Sequence, residues 1–147
     1  DVRAITNECG RKRGRPLLLA VRVPPTLALS RFMCLDPVTW AKEELIDFLT
    51  VSRFLVDGPK EPDELDIVAY RAAIPELPIY GAIQVSGAGQ RHTAADYRRI
   101  ARELWAKKFD GIYLFNFFTT REAGAGGKEP TFLLMNELGD PKTIHTQ

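Results

Sequence analysis

The 147-residue sequence has two cysteines, two histidines, no apolar run of membrane-spanning length and almost no net charge. Each shortage excludes something. Cys9 and Cys34 stand about 25 positions apart, without a CxxC or Cys/His spacing, so no metal motif is present and both read as free thiols. Twenty Lys and Arg nearly cancel 19 Asp and Glu, leaving +1, which gives no long-range pull on nucleic acid or on an anionic membrane. The longest apolar stretches are strand-sized, short of the roughly 18 residues a membrane span needs. Asp1 to Arg15 has basic residues with no apolar segment behind them, so no signal peptide is legible. Neither GxGxxG nor GxxxxGK[ST] occurs, and no cofactor is implied.

What is present is a regular alternation. Four apolar runs, Leu17 to Val23, Phe48 to Phe54, Ile79 to Val85 and Gly111 to Phe118, begin at intervals of roughly 30 residues, the length of a βα unit. Helix signals separate them. Asp36-Pro37 is an N-cap followed by proline at the first helical position. Glu61-Pro62-Asp63-Glu64 loads a helix start with acid, with Leu65, Val68, Ala69 and Ala72 as its buried stripe and Pro75 as its end. Thr93 to Asp96 is a capping-box start, after which Tyr97, Ile100, Ala101, Leu104 and Trp105 recur at helical spacing. A last helix is expected from about Pro130 to Leu138, stopping at Gly139, with 140–147 as a tail. Val2 to Cys9 reads as the end of a helix, so that 1–15 closes a preceding unit. The class is α/β, one domain with about four βα units and parallel strands. A free-standing flavodoxin-like sheet is the other arrangement considered, but its nucleotide motif is absent.

The phrase Asp110-Gly111-Ile112-Tyr113-Leu114-Phe115-Asn116-Phe117-Phe118, after a helix ending Leu104-Trp105-Ala106-Lys107-Lys108, resembles the last strand of glycoside hydrolase-like TIM-barrel proteins. Arg15-Pro16-Leu17-Leu18-Leu19-Ala20-Val21-Arg22-Val23-Pro24 and Leu35-Asp36-Pro37-Val38-Thr39-Trp40 agree with it, in order. The resemblance implies a partial (β/α)8 barrel, strands five to eight, with the first half outside this sequence; a complete barrel takes roughly 250 residues. It further implies a carbohydrate partner, a glycosidase activity for the intact protein, and an exported location.

In such barrels the chemistry lies where strands end and βα loops begin. Arg22, Arg53, Gln84 and Asn116 are expected there as hydrogen-bonding groups for sugar hydroxyls, with Phe54 and Phe117 as stacking faces. Glycoside hydrolysis needs two carboxylates. The resemblance implies a nucleophilic Glu at the end of the third run, where Gln84 stands instead, so Asp36, Asp57 and Glu122 are the remaining candidates. Two glycine-rich stretches, 86–93 and 123–128, offer a phosphate site as the alternative, through Gly87, Gly89, Arg91 and Thr93 at a helix N-terminus. A non-catalytic scaffold or interaction module is the third reading. Arg11-Lys12-Arg13-Gly14-Arg15 lacks interleaved aromatics and reads as a turn out of a surface helix, not a nucleic-acid patch. Finally, a face rich in Leu, Val, Ile and Phe is expected on the barrel interior, left uncovered, so self-association or pairing with the missing half is anticipated.

Overall fold

The computed structural model describes residues 1–53, 65–84, 86–87, 90–115, 117 and 132–144. The order is α1 (Val2–Arg13), β1 (Ala20–Val23), α2 (Leu27–Phe32), α3 (Pro37–Lys42), β2 (Phe48–Val51), α4 (Ile67–Ala73), β3 (Ile79–Gln84), β4 (Ser86–Gly87), β5 (Gln90–Arg91), α5 (Ala94–Ala106), β6 (Gly111–Phe115) and α6 (Leu134–Leu138). β1, β2, β3 and β6 form one sheet in that spatial order, every neighbouring pair parallel. Among the described residues the order never reverses, so these four strands show no switch point of the flavodoxin-like kind. No described helix is long and apolar enough to cross a membrane.

The register separates two faces. Val21 and Val23 align with Leu49 and Val51, these with Ile79 and Gly81, and Gly81 and Ile83 with Ile112 and Leu114. All the strand residues of the buried core, Val23, Leu49, Val51, Ile79 and Ile83, belong to this face, where they meet Ile67, Tyr70, Tyr97, Ile100 and Leu104 of the helices. The opposite face carries Arg22, Phe48, Thr50, Tyr80, Ala82, Gln84, Tyr113 and Phe115. The aliphatic face expected to line the interior is thus the helix-packed one, and the other face is aromatic and polar. The reason is alternation: each apolar run mixes both faces, and only the register assigns them.

The second face is concave. On a flat sheet Arg22 and Phe115 would be offset by three strand spacings, about 14 Å, and by four residues of rise, about 13 Å. The Arg22 guanidinium nevertheless lies 3.9 Å from the Phe115 ring centroid. The two side chains cannot span that flat offset, so twist and coiling together make the sheet concave on this face along the diagonal from Arg22 to Phe115.

Several elements differ from the sequence expectation. α1 continues to Arg13 and ends at Gly14 with φ 68°, so Arg11, Lys12 and Arg13 lie in its last turn, where cations complement the helix dipole. The loop after β1 holds α2, capped by Thr26, whose hydroxyl accepts from Leu29 N–H. α4 starts at Asp66, which accepts from Ala69 N–H, and that start sets a phase burying Ile67 and Tyr70 while Val68 is 77% exposed and Ala72 exposed. The stretch after β3 includes an antiparallel pair, β4 with β5. Residues 140–144 are no tail: Thr143 hydroxyl donates to Glu137 and Asp140 carbonyls, and Ile144 is buried.

Candidate functional site

The concave face supplies the site. At its N-terminal end Phe48 and Tyr80 rings lie 5.1 Å apart, and the Tyr80 ring passes over Gly111, where an added Cβ would stand 3.0 Å from it. These aromatics close the floor. Toward the C-terminal ends Arg22 lies on Phe115, and Gln84 is the register partner of Phe115. Tyr113 is 38% exposed on the same face. Ser52, beyond β2, extends the ladder by donating its N–H to Val23 O; it is 2% exposed and its Oγ makes no hydrogen bond.

Arg22 and Gln84 therefore share one face of the sheet, each beside Phe115. Arg53 follows β2, with its Nε and Nη2 enclosed by protein. Phe117 is 7% exposed and packs edge-on against Tyr97 at 5.5 Å and Phe132 at 5.9 Å, which places it in the core and not on an open stacking platform. Phe54, Asp57, Asn116, Glu122 and Gly89 lie outside the described residues. Strand-end reasoning missed Thr50, Ser52, Tyr80, Tyr113 and Phe115. Counting back by twos from Gln84 finds Tyr80, but Thr50, Tyr113 and Phe115 are assigned to this face only by the register between strands.

Asp36 is occupied elsewhere. Its Oδ1 accepts from Thr39 N–H at 3.1 Å and its Oδ2 from Thr39 hydroxyl at 2.6 Å, capping α3. Those bonds hold its carboxyl below the usual carboxylate range, the hydroxyl contributing most, which suits a cap and not a general acid. Among the described residues no carboxylate stands on the concave face. The phosphate alternative fails at Thr93 for a similar reason. Thr93 hydroxyl accepts from Asp96 N–H, while Thr93 N–H and hydroxyl both donate to Asp96 Oδ2. The N-terminus of α5 is thus filled by its own anion.

Two grooves lie at the other end of the sheet. One, of about 670 Å³, is lined by Arg3, Lys42, Asp47 and Pro75 among others; the second runs between α1 and Gly14 to Leu18. Arg3 Nη1 pairs with Asp47 Oδ2 at 3.0 Å and Arg3 Nε donates to Leu45 O, which ties α1 across the N-terminal strand ends. Asp47 Oδ2 also accepts from Leu19 N–H. The chemistry there is structural: a carboxylate shared between a helix and the entry to β1.

No family model and no curated protein matches the chain.

Proposed function

We propose that the chain is one half of a (β/α)8-type barrel and that its concave face binds carbohydrate at the C-terminal strand ends. The observation that carries this reading is the Arg22 guanidinium laid on the Phe115 ring, with Gln84 beside it in register. A planar donor held by stacking presents its N–H edge in a fixed direction, and an amide adds a donor and an acceptor, which suits vicinal hydroxyls. Tyr113 supplies an accessible aromatic face for the apolar side of a sugar ring. Glycosidase activity requires two carboxylates, which Asp57, Glu122 or another part of a complete barrel must bring.

The test is titration calorimetry of the protein with neutral oligosaccharides of several linkages, alongside Gln84→Ala and Arg22→Lys. Binding that weakens at least about tenfold in both variants, the loss of a charge-fork or amide contact of roughly 1.5 kcal/mol, supports the reading. Binding by none of the saccharides, or binding indifferent to both substitutions, overturns it.

A further inference from the structure

We infer that the four-stranded sheet is one structural unit built twice, each time as a helix followed by two neighbouring parallel strands, and each time latched at the N-terminal strand ends by its own arginine–aspartate bracket. The first unit runs from α1 to β2 and the second from α4 to β6.

Asp47 immediately precedes β2 and Asp110 immediately precedes β6, and the two aspartates make the same bonds. Asp47 N–H donates to Leu19 O at 2.7 Å while its Oδ2 accepts from Leu19 N–H at 2.6 Å. Asp110 N–H donates to Ile79 O at 2.9 Å while its Oδ2 accepts from Ile79 N–H at 2.7 Å. Leu19 and Ile79 hold the same place in the ladder, one position ahead of the pairs Ala20 with Phe48 and Tyr80 with Gly111. The carboxylate thus takes a strand-entry N–H that would otherwise need another acceptor, through a charge-assisted bond. An arginine on the helix leading into the first strand of each unit completes the bracket: Arg3 of α1 donates to Asp47 Oδ2, and Arg71 of α4 donates to Asp110 Oδ2. Each arginine also holds carbonyls at a strand entry, Arg3 that of Leu45 and Arg71 those of Pro75 and Leu77. The residues just ahead of the two aspartates, Ile46 and Phe109, are both buried in the core.

The alternation separates a repeat from a general need of parallel strands. Between β2 and β3 the equivalent place, one position ahead of Leu49 with Ile79, falls on Phe48 and Pro78. Neither residue has a carboxylate, and Pro78 has no N–H to give. The bond there runs the other way, Leu49 N–H donating to Pro78 O at 2.9 Å. The bracket is therefore present at the first and third junctions and absent at the second, a period of two strands. The first unit differs by the additional α2 between its strands. The join between the units passes through the candidate site: Arg22 comes from the first and Gln84 and Phe115 from the second, so the stack of Arg22 on Phe115 ties one unit to the other.

Amide hydrogen exchange of the full chain, followed residue by residue by NMR, tests this, with Leu49 at the unbracketed junction as the internal reference that cancels any global loss of stability. Relative to Leu49, Asp47→Ala should accelerate exchange at Leu19 at least about tenfold and leave Ile79 unchanged, and Asp110→Ala should do the reverse. Arg3→Gln and Arg71→Gln leave the carboxylates in place, so each should accelerate the amide of its own unit alone by a smaller factor, at least about twofold, and they serve where an aspartate variant does not fold. Two such unit-confined responses of similar size support the repeat. Acceleration of both amides by either substitution, a response in one unit only, or no response at either amide overturns it.

Discussion

Tyr70 connects three segments that are far apart in sequence. Its hydroxyl donates to Pro24 O at 2.8 Å, and since that uses its one proton, Ser30 Oγ, also at 2.8 Å, donates to it. Both partners are buried, so Tyr70→Phe strands a carbonyl and a hydroxyl and should cost about 1–3 kcal/mol in urea unfolding; an unchanged midpoint would show the triad to be dispensable. Burial pushes the Tyr70 and Tyr97 hydroxyls up to about 12. A raised pKa favours the neutral form in the folded state. Stability is therefore intact below the ordinary tyrosine value near 10 and falls as the pH climbs from there through about 12, to be followed by thermal melts in alkaline buffers. Gly81 is a second residue-level constraint. An added Cβ would stand 2.7 Å from Leu104 Cδ2 and 3.2 Å from Phe109 Cγ, and both residues are enclosed. Gly81→Ala should destabilise by about 1–3 kcal/mol through overpacking. Neither constraint is legible in the sequence, because Ser30 and Tyr70 are separated by 40 positions and the strand-to-helix approach at Gly81 exists only once the layers are packed.

At the scale of elements the caps were legible and so was the phase of α5, which buries Tyr97, Ile100, Ala101 and Leu104, whereas the phase of α4 was not. Asp36-Pro37 and Thr93 with Asp96 announce helix starts by residue type alone, and both form the expected bonds. The α5 box is the stronger start, since donors and acceptors are satisfied reciprocally; Thr93→Ala should cost about 1 kcal/mol, measured by chemical denaturation. Hydrogen bonds from Thr93 hold the Asp96 carboxyl low, as those from Thr39 do for Asp36. The sign is opposite to that of the tyrosines. Their contribution is present above the ordinary carboxylate value near 4 and is lost as the pH falls through the lowered folded values, so the Thr93→Ala variant should show a shallower acid transition than the parent. The helix α4 was legible but its buried face was not: acid at 61–64 and the stripe Val68 and Ala72 suggested one face, whereas Ile67 and Tyr70 are the residues packed inward. α6 has no side-chain cap and is held from outside, by Arg98 gripping Glu137 with two bonds of 2.7 and 3.0 Å and by Trp105 Nε1 donating to Leu138 O.

For the whole molecule, the 30-residue period fixes four strands in sequential, parallel order, but hydropathy does not say which face curls inward. Ile83 and Gln84 are neighbours in sequence and belong to opposite faces; only the ladder to Leu114 and Phe115 resolves them. The candidate site was legible to the same degree, Arg22 and Gln84 by their place at strand ends, Tyr80, Tyr113 and Phe115 not. Sheet position then orders local stability. β2 and β3 have a hydrogen-bonded neighbour on each side and supply Leu49, Val51, Ile79 and Ile83 to the core, whereas among the described residues β1 and β6 have one neighbour each. Amides of β2 and β3 should exchange only in global unfolding, and those of β1 and β6 by local opening at lower free energy. Edge amides at Ala20–Val23 and Gly111–Phe115 that exchange as slowly as those of β2 and β3 would show that both edges are protected by a further neighbour.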